Sequence, residues 1–249
     1  MTSSFQNNKK SKDIDQLLAS AVTCPKTQIH AKRSKTQPDI FLCEIDGEKF
    51  VLKTYERCGF LIRNLWGRWV TKKEFSNLNS LQNVEGVPVI YGIVQPCGIL
   101  MEHIKGAPLR ERKKAIPDRT ILEKLESIVN TVHKRHIAHG DIRRKNILVT
   151  TAGVVYLIDW ATAFRWKEKG NMLARSFFRN LCHVDRIKII EMKEHYYPGS
   201  LTEEEQKQLL RKSFYLRVGQ FLRHTIYRNI VPHKRRRRRR RNTKQSPSE

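Results

Sequence analysis

Runs rich in β-branched and aromatic residues come in pairs along the first two thirds of the chain. Ile40 to Ile45 and Lys49 to Thr54 flank Asp46-Gly47, which predicts a hairpin. Val87 to Val94 and Gly98 to Ile104 read as two more strands, and Ile147 to Thr150 and Val154 to Ile158 flank Thr151-Ala152-Gly153 as a tight antiparallel hairpin. Elsewhere the period is helical. Lys72 to Leu81 puts Leu78 and Leu81 on one face together with Glu74. Ile121, Leu122, Leu125, Ile128, Val129 and Val132 form an amphipathic stripe beyond Pro117. After Asp159 only helices are expected: Phe177, Leu181, Val184 and Ile187 make one stripe. Thr202-Glu203-Glu204-Glu205 is a capping-box start to another, with Leu210, Phe214, Val218 and Phe221 inward. The fold class is therefore α+β.

At 249 residues the chain can hold one large domain or two small lobes with a shared core. Its formal net charge of +25 is not confined to the arginine run. Val231 to Glu249 carries nine basic residues against Glu249, so the greater part of the excess lies upstream and must form basic surface there. Such a field favours an anionic partner: nucleotide phosphate, nucleic acid or an acidic membrane leaflet. Arg235 to Arg241 reads equally as a leaflet anchor, a nucleic-acid contact or a solvated tail. Five scattered cysteines without a C-x-x-C pair point to reduced thiols and a cytoplasmic protein. The polar residues 1–20 are expected to be loose and lack the apolar core of a signal peptide. No apolar run could span a bilayer, so a membrane role would be peripheral.

The candidate chemistry gathers at the third strand pair. Asn146 precedes its first strand and Asp159 follows its second, so antiparallel pairing sets an amide oxygen and a carboxylate side by side at the open end. Two hard oxygen donors suit Mg²⁺, which leaves its other positions to water and phosphate. Asp141, in the loop entering the hairpin, is free to face an acceptor hydroxyl. His133, His136 and His139 come three apart, but i and i+6 do not share a helix face, so no zinc site is expected.

His139-Gly140-Asp141-x-x-x-x-Asn146 resembles the catalytic loop of protein kinases, and Asp159-Trp160-Ala161 stands where their metal-binding D-F-G belongs. The resemblance covers roughly residues 36–230 and implies a two-lobed protein-kinase-like fold with an antiparallel-sheet N-lobe and a reduced helical C-lobe. The implied boundaries are a loose N-terminus at 1–20, an N-lobe at 21–104, a C-lobe at 105–230 and a polybasic tail at 231–249. It implies ATP and Mg²⁺ as cofactors and assigns roles. Lys53, in Val51-Leu52-Lys53, holds the α- and β-phosphates and is positioned by Glu74; Met101 lies beside adenine, with the Glu102 and Ile104 backbones bonding it. Asn146 and Asp159 take the metal, Asp141 orients the hydroxyl and accepts its proton, and Arg143 neutralises the transferring group.

The chain also departs from that pattern. Lys32 to Asp39 has no glycine where a phosphate loop should be, so Ser34, Lys35 and Thr36 contact phosphate through side chains or belong to an ordinary solvated loop. Gly140 replaces the arginine that pairs with a phosphorylated activation loop, Trp160-Ala161 replaces Phe-Gly, and A-P-E is missing. Lys53-x-Tyr55-x-Arg57-x-Gly59 is similar to bacterial lipopolysaccharide core kinases that phosphorylate a Kdo or heptose sugar, a resemblance that implies a cytoplasmic enzyme able to sit peripherally on the cytoplasmic face of the inner membrane. The insert that follows, up to Trp69, reads either as an interfacial segment or as a helix packed on the N-lobe. The expected activity is γ-phosphoryl transfer to an inner-core lipopolysaccharide sugar. A RIO-like protein serine/threonine kinase is the alternative acceptor class, and a pseudokinase scaffold on nucleic acid or membrane is the contrasting function.

Overall fold

The computed structural model describes residues 2–30, 36–109, 118–167 and 171–210. Residues 1–200 form one compact unit and 201–249 a second. The expected phosphate contacts of Ser34 and Lys35, the inward positions Phe214, Val218 and Phe221, and the arginine run lie outside the described residues.

The first unit begins with helix α1 (Thr2–Thr23). A five-stranded antiparallel sheet follows, built from β1 (Lys26–His30), β2 (Asp39–Ile45), β3 (Glu48–Thr54), β4 (Ile90–Val94) and β5 (Gly98–Glu102) in the order β1-β2-β3-β5-β4. The β2-β3 turn has positive φ at both Asp46 (53°) and Gly47 (79°), the two-residue geometry that matches strand twist. Side chains alternate across the sheet. Leu52 and Leu100 enter a cluster with Phe41, Cys43 and Phe50, capped by Ala21 and the half-buried Leu17 and Leu18 of α1. Within the stretch expected to be loose, residues from Thr2 on are thus helical. Its few apolar residues cover one sheet face, and the polar positions before them concealed this.

Lys53, one residue on from Leu52, belongs to the opposite face. There, after a π-helical turn (Ile62–Gly67), α2 (Arg68–Ser80) packs Leu78 into the main core. That core continues into α3 (Arg119–Lys134), which carries the expected stripe and is capped by Asp118 Oδ1 accepting the Thr120 N–H at 3.1 Å.

Two small sheets complete the unit. β6 (Gly106–Pro108), β8 (Ile147–Thr150) and β9 (Val155–Leu157) form one, and β7 (Ile137–Ala138) pairs with β10 (Phe164–Arg165). In the expected hairpin Ile147 faces Leu157, and the Ile158 N–H donates to the Asn146 carbonyl at 2.9 Å. The long helix α4 (Met172–Tyr196) buries Phe178, Cys182, Asp185, Ile189 and Met192. Up to Asp185 this stripe lies one residue off the expected one, with Phe177 exposed, whereas Ile187 is buried as expected. Either face of this helix offers apolar residues at helical spacing, and packing against Ala138 decides between them.

In the second unit the capping box forms: the Glu205 N–H donates to Thr202 Oγ1 (3.2 Å) and the Thr202 N–H to Glu205 Oε2 (3.0 Å). Leu210, expected to point inward, is exposed.

Candidate active site

Burying Lys53 requires a partner, because removing an ammonium from water costs on the order of several kcal/mol. It has two. Lys53 Nζ donates to Glu74 Oε1 at 2.9 Å and to Asp159 Oδ1 at 3.0 Å. These contacts join the sheet, α2 and the end of β9, elements 21 and 106 residues from Lys53 in sequence. Burial alone would push the ammonium down, but the two carboxylates hold it above its ordinary value. The effect on Asp159 is reciprocal: Lys53 holds its carboxyl below the usual range. Burial pushes Glu74 up, against the pull of Lys53. The backbone amide of Trp160 pulls the Glu74 carboxyl down as well.

Asp159 itself is left-handed, with φ 68° and ψ 69°, and its side chain remains 42% exposed toward the cleft. A non-glycine residue held there is strained and persists only where its surroundings fix it. Those surroundings are visible. Trp160 is fully buried, donates from its indole to the Leu157 carbonyl at 2.9 Å and meets His139 edge-on at 4.7 Å. From α2, Lys73 Nζ donates to the Ala161 carbonyl (3.3 Å) and Asn77 Nδ2 to the Ala163 carbonyl (3.1 Å).

The loop from His139 to Asn146 hangs from Asp185, a buried acid on α4 that sequence reasoning did not single out. Its two oxygens accept the His139 N–H (2.8 Å) and the Gly140 N–H (2.9 Å), and Oδ2 also meets His133 Nε2 at 3.0 Å. Gly140 has φ 77°, a conformation glycine adopts freely, and this accounts for glycine between His139 and Asp141. His139 Nδ1 accepts the Asp141 N–H (3.3 Å), so Nε2 carries the proton shared with the Ile158 carbonyl (3.1 Å). The ring is neutral, and burial lowers its pKa. The only sequence signal for Asp185 is an acid at the spacing of apolar neighbours, and the expected stripe runs one residue away from it.

Asn146 Nδ2 donates to the Asp141 carbonyl at 2.9 Å and reaches Asp141 Oδ2 at 3.4 Å. Its amide nitrogen is committed, which leaves Oδ1 as the atom that could take a ligand. Arg143 Nε is ion-paired to Asp141 Oδ1, so the guanidinium stands directly on that carboxylate. Hairpin register brings Asn146 and Asp159 to the same rim. An amide oxygen and a carboxylate beside a lysine already shared by two carboxylates suit a hard divalent cation and a phosphate chain. Among the described residues no group of three or more His, Cys, Asp or Glu could hold a metal ion.

At the other side of the cleft Met101 is half-buried on β5 opposite Val51. The Glu102 N–H already donates to the Val89 carbonyl at 2.8 Å, so Glu102 has its carbonyl left for the expected adenine contact. The Ile104 carbonyl accepts the Gly106 N–H at 2.9 Å, which leaves that residue its amide N–H.

With this geometry in place, a model of the RIO domain matches residues 45–187, more than half of the chain. The chain belongs to the RIO domain family. The matched span runs from the end of β2 to just past Asp185, so it includes Lys53, Glu74, Asp141, Asn146 and Asp159. The α+β architecture is that of a protein-kinase-like fold. Serine/threonine-protein kinase Nek3 of Mus musculus is 34% identical over 87 residues, covering 33% of this chain and 16% of its own length. Serine/threonine-protein kinases drp72 of Corynebacterium efficiens is 30% identical over 73 residues, 27% of this chain and 14% of that protein. The chain thus spans about a sixth of the length of the curated relatives it matches.

Proposed function

We propose that this chain transfers the γ-phosphoryl group of ATP to a serine or threonine hydroxyl of a protein. The observation that carries this reading is Lys53 Nζ held between Glu74 and Asp159, at 2.9 and 3.0 Å, within a RIO domain. Phosphoryl transfer asks mainly for positioning and charge stabilisation, and the residues divide those tasks. Lys53 binds the α- and β-phosphates, and Glu74 keeps its ammonium in place. Met101, the Glu102 carbonyl and the Ile104 N–H form the adenine side. Asp159 and Asn146 Oδ1 hold Mg²⁺, which when bound neutralises phosphate charge. Asp141 orients the hydroxyl and accepts its proton, and Arg143, paired to Asp141, is carried to the transferring group. His139, Asp185 and Trp160 keep this loop rigid.

The acceptor preference differs from the one the insert alone suggested. Lys53-x-Tyr55-x-Arg57-x-Gly59 pointed to a lipopolysaccharide sugar, whereas the family match and the names of both relatives favour a protein hydroxyl. The sugar stays as the second reading because the insert does present exposed aromatics. Incubating the purified chain with γ-labelled ATP and either total soluble protein or membrane lipid extract tests both. Label in protein bands that disappears with Asp141→Asn is expected. Label confined to the lipid phase would overturn the acceptor, and nucleotide binding without transfer to any acceptor would overturn the activity in favour of a scaffold.

A further inference from the structure

The insert between Lys53 and Glu74 has two faces. Inward, Ile62, Gly67 and Val70 pack with Tyr55, Cys58 and Cys97. Gly67 is obligatory at this approach: a Cβ there would come within 2.7 Å of the Tyr55 Cβ. Outward, the residues leading into the π-helical turn, the turn itself and the start of α2 present Phe60 (71% exposed), Leu61, Leu65 (69%), Trp66 (53%) and Trp69 (55%). Five large apolar side chains within ten residues far exceed the single exposed hydrophobics expected on a soluble surface. None of the inner packing needs them. The inward face packs on the N-lobe sheet, which leaves the outward face to be accounted for.

The charges among these side chains are of one sign. Arg57, Arg63, Arg68, Lys72 and Lys73 are interleaved with the aromatics, against Glu56 alone before Glu74. Arg63 lies over the Phe60 ring at 6.0 Å and Lys73 over Trp69 at 5.4 Å, and Trp66 and Trp69 stand 5.4 Å apart. An acidic protein partner would satisfy the cations but gives no reason for two indoles and two leucines that remain bare. A bilayer interface accounts for both: indole and phenyl rings partition to the headgroup level, and guanidinium and ammonium groups meet anionic phosphates. A second exposed apolar group, Met172, Leu173 and Phe177, has Arg175 within it. Both clusters are tied to the segment after Asp159: Lys73 donates to the Ala161 carbonyl, and Phe177 of α4 packs on Phe164 at 4.9 Å.

We propose that the outward face of Phe60 to Trp69 is a docking surface for an anionic lipid bilayer. The aromatic side chains enter the headgroup region and the exposed Arg68 and Lys72 among them pair with lipid phosphates. The contact does not depend on nucleotide or on which hydroxyl is phosphorylated, so it stands or falls separately from the acceptor.

The test uses the full chain in flotation with phosphatidylglycerol-containing vesicles, phosphatidylcholine vesicles as the uncharged control, and vesicles containing brominated lipid. The wild type is expected to float with the anionic vesicles and to lose tryptophan fluorescence to the brominated lipid. Phe60→Ser/Leu65→Ser/Trp66→Ser should bind roughly tenfold or more weakly with an unchanged melting temperature, since all three side chains are exposed. Binding by the triple variant equal to wild type, or wild-type binding without bromolipid quenching, would show that basic charge alone holds the vesicle, and the proposal would fail. It would equally fail if wild type ignored the vesicles and instead formed a dimer that the triple variant dissociates.

Discussion

Lys53 and Glu74 form an ion pair at 2.9 Å in which both side chains are almost entirely removed from solvent. A pair of this kind need not stabilise the fold more than apolar residues of similar size, but removing one partner leaves a buried charge uncompensated. Lys53→Met should therefore destabilise by about 3–5 kcal/mol, while Lys53→Met/Glu74→Leu should recover much of that loss and remain inactive. Urea denaturation of the two variants checks it. A double variant no more stable than the single one would mean that the pair is held for its contribution to folding.

Asp185 makes a different prediction. Asp185→Ala strips the acceptor from the His139 and Gly140 amides, and each buried N–H left unpaired costs roughly 1–3 kcal/mol. A loss of about 2–6 kcal/mol is expected. Amide exchange at 139 and 140 should rise more than in the β-sheet, and mass spectrometry of peptides spanning this loop would show it.

Gly67→Ala tests the close approach of the insert to Tyr55. The added methyl forces a shift against a backbone-proximal Cβ at 2.7 Å, which should cost about 1–3 kcal/mol as overpacking does. Gly153→Ala, at an open turn with φ 75°, meets no atom within 4 Å and should show only the milder backbone penalty of the left-handed region. The ratio of the two melting-temperature shifts is the readout.

Stability should also fall in mild acid. Burial lowers the pKa of His139, so the folded chain keeps it neutral while the unfolded chain binds a proton near the ordinary value of about 6.5. The contribution is fully present above that value and is lost as pH drops below it. His103 is lowered in the same direction, by burial first and then by Lys49 and Lys105. Glu74, raised by burial, acts in the opposite sense, and Asp159, depressed by Lys53, adds its own loss only in stronger acid. Urea midpoints measured across this range should decline below about pH 6.5, and His139→Gln should flatten part of the slope.

The strand pairs, the stripe of α3 and the positions of Lys53, Glu74, Asn146 and Asp159 were all legible in the sequence. Local patterns encode them: a two-residue turn at Asp46-Gly47, or a hairpin that returns its two ends to one rim. The missed features are set by tertiary partners. α1 is polar over most of its length and is recognisable only once Leu17, Leu18 and Ala21 meet the sheet. Asp185 and Asn77 look like ordinary helical polar residues until the backbone groups they satisfy are seen. The side of α4 that is buried, and the use of the Glu102 N–H by Val89, depend on neighbours distant in sequence.

The central claim, a divalent cation gripped by Asp159 and Asn146 beside Lys53, is tested most directly with Asp159→Asn. Asparagine tolerates the left-handed backbone this position requires, so the fold should survive. Mn²⁺ binding in the presence of ATP, followed by electron paramagnetic resonance, should be strong for the wild type and lost in Asp159→Asn, together with phosphoryl transfer. Undiminished Mn²⁺-nucleotide binding and turnover by the folded variant would contradict the account.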